Sequence, residues 1–218
     1  MTFGRTGKNG RLFSKRRIDT LTDGVFAFAM TLLVTGLDIP TLNGMITNGT
    51  IDQILVGLVP DFLHYIVAFI LLANFWWAHH ERSHYIHAMD RNMIFLNMVS
   101  LIFIGLIPFS TNLVGDFPLN AHAAIIFELN LFFLGFLSVL QWNQVLKNPH
   151  CVKPDENSGE IRVSRDDAMI FPVLSLVGIA LALSAISWSV FVYAVAPAYI
   201  IAVSWWETKY HRHPANVT

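Results

Sequence analysis

Charged residues and cysteine are both scarce in this sequence. Asp, Glu, Lys and Arg make up only 13% of its 218 residues, against about 25% in soluble proteins. A soluble domain of this size would lack the polar side chains needed to cover its surface. The net charge of −1 argues against a basic nucleic-acid-binding protein. The single cysteine, Cys151, excludes an intrachain disulfide framework and a cysteine-rich metal site, and we expect it to be a loop thiol.

Apolar residues, by contrast, make up 54% of the chain, which excludes a disordered protein. They form runs of the roughly 20 residues that a helix needs to cross a bilayer. Six such runs are present: Ile18–Leu37, Ile54–Trp77, Asn92–Asn112, His122–Leu146, Ala168–Ser187 and Trp188–Trp206. The last two almost touch, which predicts a tight helical hairpin around Ser184–Ser189, and the longest connection, Lys147–Asp167, is expected to be a solvated loop. We therefore predict an all-α polytopic membrane protein with six transmembrane helices.

The distribution of Lys and Arg predicts the orientation, because basic loops stay in the cytoplasm. All 14 lie on the side that the two termini share: Arg5, Lys8, Arg11, Lys15, Arg16, Arg17, Arg82, Arg91, Lys147, Lys153, Arg162, Arg165, Lys209 and Arg212. The three opposite loops contain Asp38, Asp52 and Asp116 instead. We expect a basic cytoplasmic N-terminal segment (1–17), a six-helix transmembrane domain (18–206) and a cytoplasmic tail (207–218).

The first apolar run begins with polar residues, and polar residues inside a membrane span are candidates for function. Asp19 and Asp23 lie four residues apart, so they share one face of a helix, and Arg17 lies at its basic end. Two compatible interpretations are an interfacial ion-pair cluster that anchors the helix and a buried polar latch that orients it against its neighbours.

This run resembles a known signature. The residues Arg17-x-x-x-Leu21-Thr22-Asp23, followed by a Gly/Ala/Val/Phe-rich stretch, are similar to the Arg-x-x-x-Phe-Ser-Asp motif of the transmembrane protein 175 family, which are endosomal and lysosomal potassium channels with bacterial homologues. Leu21-Thr22 replaces Phe-Ser, which keeps the hydroxyl group but loses the aromatic ring.

Later segments carry the same resemblance. The second run ends in Trp76-Trp77-Ala78-His79-His80, and the third contains Asn97 and the segment 106–111, Leu-Ile-Pro-Phe-Ser-Thr, similar to the family's Leu-Pro-Phe segment. The resemblance implies that His79 or His80, together with Asn97, hydrogen-bonds Asp23 or Thr22. Spacing alone does not choose between the two histidines.

The resemblance implies a potassium-permeable leak channel of the bacterial inner membrane, a multi-pass homotetramer in which the first helix of each subunit lines the pore. Its partners would be the lipid bilayer and monovalent cations, with no cofactor and no nucleic acid. The segment Thr-Val-Gly-Tyr-Gly of carbonyl-type filters is absent. The family's apolar constriction maps to Phe28, Leu32 and Thr35, which lie on one helical face, with Thr31 on its flank. Phe28 or Leu32 would exclude water, and Thr31 or Thr35 would form the selectivity layer.

Two other functions compete with a channel. The segment His80-Glu81-x-x-His84 matches the zinc-metallopeptidase pattern. Asp61 and His64 lie one turn apart in the second run and would suit a proton-coupled transporter. Glu128 in the fourth run raises the same question, although such residues are more often helix–helix polar contacts.

Overall fold

The structure is a computed structural model that describes residues 13–37, 48–154 and 156–184. These ranges are largely helical, with two strands of two residues each. In chain order the elements are β1 (Phe13–Ser14), α1 (Lys15–Leu32) with a 3-10 extension (Leu33–Gly36), α2 (Asn48–Gly57), α3 (Val59–Tyr85), β2 (Ala88–Met89), α4 (Arg91–Asp116), α5 (Ala121–Lys147), a 3-10 turn (Pro149–Cys151), α6 (Ser158–Ala168) and α7 (Ile170–Leu183).

Five helical segments in these ranges are long and apolar enough to cross a membrane. They are Lys15–Gly36, Ile51–Tyr85, Arg91–Asp116, Ala121–Lys147 and Ser158–Leu183, and they contain or overlap the first five predicted runs. The sixth predicted run, Trp188–Trp206, lies outside the described residues, as does most of the predicted hairpin around Ser184–Ser189.

The second span is longer than predicted and is divided into two helices. It extends over 35 residues, or about 52 Å at 1.5 Å per residue, which exceeds the roughly 30 Å of the hydrocarbon core. The division falls at Leu58, between α2 and α3. Pro60 has no N–H group to donate to the carbonyl of Val56, which explains why the helix is interrupted there.

The connection Lys147–Asp167 is not the solvated loop that we expected. It contains the 3-10 turn and most of α6, which begins where the Asn157 side chain accepts a hydrogen bond from the Gly159 N–H. Ile161 and Ala168 lie seven residues apart on one face of α6, and both are buried. Cys151 is likewise fully buried rather than an exposed loop thiol. The connection folds because it contributes its own apolar face to a small core.

That small core lies at the end of the helix bundle where α1 and α4 begin and where α3 and α5 end. We call this end of the bundle the basic end. There β1 pairs antiparallel with β2, with Ser14 opposite Ala88, and Ile86 forms a bridge to Val152. The start of α1, the α3–α4 connection and the α5–α6 connection therefore meet. The buried side chains of this cluster are Ile86, Met89, Met93, Trp142, Val145, Cys151, Ile161 and Ala168.

The main core lies between α1, α3, α4 and α5 and divides α1 into two faces. Phe26, Ala29 and Leu33 are buried in this core, together with the hydroxyl-bearing Thr22. The opposite face of α1 is exposed on the single chain and includes Leu21, Gly24, Phe28, Thr31 and Thr35. The apolar side chains on that face include Leu21 and Phe28, which are 47% and 65% exposed.

Candidate functional site: the first helix and its polar contacts

Thr22 connects α1 to α4. Its side chain is almost fully buried; its Oγ1 donates to the Ile18 carbonyl at 2.9 Å and accepts from Asn97 Nδ2 at 2.8 Å. The hydroxyl therefore donates one hydrogen bond within its own helix and accepts another from a buried amide of α4. Any substitution that removes the oxygen leaves the Asn97 amide without this acceptor.

Asp23 connects α1 to α3 through the indole of Trp76. Trp76 Nε1 donates to Asp23 Oδ1 at 2.9 Å, and the Trp76 ring stacks on His80 with 5.6 Å between centroids. His80 is exposed. The resemblance left open whether Asn97 and a histidine hydrogen-bond Asp23 or Thr22. In the structure Asn97 donates to Thr22, and Asp23 accepts from an indole N–H.

His79 is the histidine that faces α1, and its partner there is Asp19. Its side chain is 5% exposed, and Nδ1 lies 3.1 Å from a guanidinium nitrogen of Arg82. Since arginine only donates hydrogen bonds, Nδ1 is the acceptor and the proton of the neutral ring is on Nε2. Nε2 faces Asp19 Oδ1 at 3.8 Å, so the imidazole stands between a buried cation and a carboxylate.

Lys15 and Ser83 complete this set of contacts, and sequence reasoning missed both. Ser83 Oγ donates to Asp19 Oδ2 at 2.8 Å, and the Lys15 ammonium group donates to the carbonyl and the hydroxyl of Ser83. Arg17 is exposed and makes no such contact within the described ranges. A hydroxyl one turn beyond His79 was the available signal, but serine is too common for it to stand out.

These contacts form one arrangement, which we call the motif network: Lys15, Asp19, Thr22, Asp23, Trp76, His79, Arg82, Ser83 and Asn97. Arg82 is buried and lies over the Trp142 ring with 6.0 Å to its centroid. The network connects one end of α1 to α3 and α4 through hydrogen bonds. The Asn97–Thr22 bond is buried, the Ser83–Asp19 bond is partly buried, and the Trp76–Asp23 bond is exposed. The other end of α1 is held by apolar packing around Leu33.

The residues expected to line a pore occupy the exposed side of α1. Phe28 is 65% exposed, Thr31 and Thr35 are exposed, and Leu32 is half-buried. Thr31 donates its hydroxyl to the Phe28 carbonyl at 2.8 Å, and Thr35 donates to the Leu32 carbonyl at 2.6 Å. Because each proton points back to the helix, the oxygen lone pairs are left free to face outward.

A groove of about 350 Å³ runs along this side of α1. Its lining is mainly apolar and consists of Thr20, Leu21, Gly24, Val25, Phe28, Ala29 and Leu32 from α1 and Gly105 from α4. The groove and the predicted stripe therefore share Phe28 and Leu32.

The three residues of the metallopeptidase pattern contact three different partners. His80 stacks on Trp76, Glu81 accepts a hydrogen bond from Ser164 at 2.9 Å, and His84 faces Glu156 at 3.6 Å. Each is thus engaged in a contact between elements.

The residues considered for proton coupling lie towards the other end of the bundle. His64, near the start of α3, lines a small cavity with Thr111 and Phe127. Glu128, in the first third of α5, is buried against Gly178 of α7.

The fold and the network define a multi-pass helical membrane protein whose first helix is held at one end by polar contacts. Residues 17–108, from the motif arginine to the proline of α4, match the family model described as the endosomal/lysosomal potassium channel TMEM175. Residues 17–108 are therefore similar to this channel family, whose members are ion channels rather than enzymes.

Individual relatives show the same similarity. A potassium channel of Streptomyces collinus is 25% identical over 153 residues, which cover 68% of this chain and 73% of that protein. The endosomal/lysosomal proton channel TMEM175 of Gallus gallus is 33% identical over 119 residues, which cover 51% of this chain but only 23% of that longer protein. This chain thus matches about a quarter of the vertebrate protein.

One solved structure has the same fold. The crystal structure of a lysosomal potassium-selective channel TMEM175 homologue from Chamaesiphon minutus superposes with a TM-score of 0.75. The match covers 87% of this chain and 97% of that chain at 23% sequence identity.

Proposed function

We propose that this protein is a potassium-permeable leak channel formed by four copies of the chain, with α1 of each copy lining a central pore. The bacterial relatives named potassium channels support the permeant ion. The observation that carries the proposal is the division of α1 into a buried face and an exposed face. A pore between copies accounts for an exposed stripe that no described helix of the same chain covers.

The constriction in this proposal is apolar. Rings of Phe28 and Leu32 side chains would narrow the path, and a narrow apolar passage excludes water and closes to ions. The hydroxyls of Thr31 and Thr35 would replace part of the hydration shell of an ion. Their orientation supports this role, because both protons are donated to backbone carbonyls and the oxygens keep their lone pairs for a cation.

The motif network would set the position of α1 in this pore. Thr22, Asp19 and Asp23 hold the basic end of the helix against α3 and α4, while the stripe begins one turn further along. A shift at the network would therefore change the spacing of Phe28 and Leu32 around the axis.

The deciding experiment is cation flux into liposomes that contain only the purified chain. We expect flux down a potassium gradient without any other gradient, and a smaller flux when sodium replaces potassium. A flux that requires a pH gradient would favour the proton-coupled transporter instead. The absence of flux with either cation would contradict the channel.

Leu32→Ala tests the constriction, with Val34→Ala as a matched control. Val34 is also exposed and lies in the 3-10 extension, two residues beyond Leu32. At about 100–120° per residue, its side chain points about 120–160° away from that of Leu32. Removing the Leu32 side chain widens the narrow passage, so potassium flux should rise several-fold, while Val34→Ala should leave it unchanged. Equal potassium flux in the two variants would show that Leu32 does not form the constriction.

Proton conductance is a second candidate, since the vertebrate relatives are named proton channels. The same liposomes test it with an internal pH indicator and no potassium gradient. Acidification under an imposed pH gradient alone, with no potassium flux, would favour this second candidate over the first.

A further inference from the structure

The acidic side chains at the basic end are mostly engaged within the chain. Asp19 accepts from Ser83 and Asp23 from Trp76, Asp90 caps α4 by accepting from the Met93 N–H, Glu156 faces Lys153 and Asp166 pairs with Arg165. Glu160 is exposed without such a partner in the described ranges. In the described ranges, the hydrogen bonds and ion pairs of these carboxylates involve other groups and not Arg91 or Lys147.

Several basic side chains remain without a partner. In the ranges 13–37, 48–154 and 156–184, the following are exposed and form no hydrogen bond or ion pair through their side chains: Arg16, Arg17, Arg91, Lys147 and Arg162. By contrast, Lys153 and Arg165 are neutralised by Glu156 and Asp166. The basic end thus presents unpaired positive charge to its surroundings.

Arg91 and Lys147 stand at the ends of two exposed apolar stripes. Arg91 begins α4, and Phe95, Ile102 and Phe109 follow on the same helical face, all of them exposed. Lys147 ends α5, and its helical face carries the exposed Phe136, Phe133 and Leu129. Each stripe therefore joins an apolar surface of membrane length to one cation at its end.

The two stripes belong to one surface. Helices α4 and α5 are consecutive, antiparallel and in close contact, and Phe103 of α4 stacks on Phe133 of α5 with 5.3 Å between ring centroids. The cations at the ends of neighbouring antiparallel helices thus lie at the same membrane face. We call this the α4–α5 surface: Arg91, Phe95, Ile102, Phe109, Lys147, Phe136, Phe133 and Leu129.

We propose that the α4–α5 surface binds anionic phospholipids, with the headgroup phosphate at Arg91 and Lys147 and the acyl chains along the exposed aromatic and aliphatic side chains. An amphiphile with one negative end and a long apolar part matches this arrangement in charge and in length. A basic side chain near an anionic leaflet contributes about fivefold to lipid binding. This binding does not depend on whether the chain conducts ions.

The test is a titration of the purified full chain, in a neutral detergent, with phosphatidylglycerol, followed by thermal unfolding. Phosphatidylglycerol should raise the unfolding midpoint, whereas phosphatidylcholine should have a smaller effect. In Arg91→Gln/Lys147→Gln the half-saturating fraction of phosphatidylglycerol should increase at least fivefold. The control Lys153→Gln/Arg165→Gln removes the same charge at residues that are already paired, and its titration should match the wild type.

Three outcomes would overturn the proposal. The first is an unchanged phosphatidylglycerol titration in the double variant. The second is equal stabilisation by inorganic phosphate, which would show that Arg91 and Lys147 bind a soluble anion and not specifically a lipid. The third is a change in oligomeric size of the double variant without any change in its lipid response, which would assign the surface to another copy of the chain. If the Gln variant does not fold, Arg91→Lys/Lys147→Arg keeps both charges and must retain the wild-type titration.

Discussion

At the scale of single residues, the buried threonine of the motif has a different role from its neighbour on the same turn. The Thr22 hydroxyl accepts from Asn97 inside the bundle, while the Thr20 hydroxyl is exposed and donates only to the Arg16 carbonyl of its own helix. Two chemically identical side chains, two residues apart, therefore offer a matched comparison of a buried and a surface hydrogen bond.

Thr22→Val should lower the free energy of unfolding by about 1–3 kcal/mol, because it leaves the buried Asn97 amide without its acceptor. Thr20→Val should change it by less than about 0.5 kcal/mol, and Thr22→Ser should stay close to the wild type. Unfolding in mixed micelles of increasing SDS fraction, followed by tryptophan fluorescence, measures all three. Equal losses for both valine variants would show that the Thr22–Asn97 contact does not contribute.

Cys151 allows a second prediction at this scale. Burial raises the pKa of its thiol, with a further contribution from the nearby charge of Asp90. The thiolate needed for alkylation therefore forms at higher pH than in an exposed cysteine. Iodoacetamide should label the folded protein slowly at pH 7.5, faster as pH rises, and completely after denaturation. Since the chain has one cysteine, mass spectrometry of the intact protein counts the label directly. Fast labelling of the folded protein at pH 7.5 would show that Cys151 is accessible.

At the scale of elements, glycine decides how closely α5 approaches α7. A Cβ at Gly135 would lie 2.8 Å from Pro172 Cδ and 2.9 Å from Phe171 Cβ, which is closer than packed carbon atoms allow. The same pair of helices brings Glu128 against Gly178. Close approach at small residues is a typical basis of helix association in membranes.

Gly135→Ala should therefore destabilise the protein by about 1–3 kcal/mol through overpacking. Gly57→Ala is the control, since a Cβ there meets nothing within 4 Å, and alanine is the better helix former. Thermal unfolding in detergent compares the two variants. An unaffected Gly135→Ala protein would mean that α5 and α7 separate at little cost.

At the scale of the whole molecule, the strand pair joins parts of the chain that lie far apart in sequence. Ser14 lies opposite Ala88, directly before α1, so the pair fixes the entry of α1 relative to the α3–α4 connection. Together with the motif network, it makes the basic end the rigidly connected end of the first helix.

Ser14→Cys/Ala88→Cys should form a disulfide on mild oxidation, because opposed residues of an antiparallel pair have the Cα separation that a disulfide needs. The experiment uses a Cys151→Ala background. Arg16→Cys/Ala88→Cys is the control, since residue 16 lies in α1 beyond the pair. A shift in gel mobility reports the cross-link, and cross-linking of both pairs alike would contradict the register.

The sequence by itself determined the apolar spans and the position of the motif. Runs of about 20 apolar residues identify helices without reference to any partner, because the bilayer requires each segment to satisfy its own backbone. Five of the six spans, and the resemblance carried by Arg17, Thr22 and Asp23, follow from local pattern alone.

Only the tertiary structure decided which polar groups meet. His79 and His80 are adjacent and chemically identical, yet the helix turns one toward Asp19 and the other toward Trp76. Lys15 and Ser83 meet across 68 positions of sequence. Helix α6 forms because its apolar face completes a core built from α4, α5 and two separate connections. These outcomes depend on distances between elements, and a local pattern contains no information about such distances.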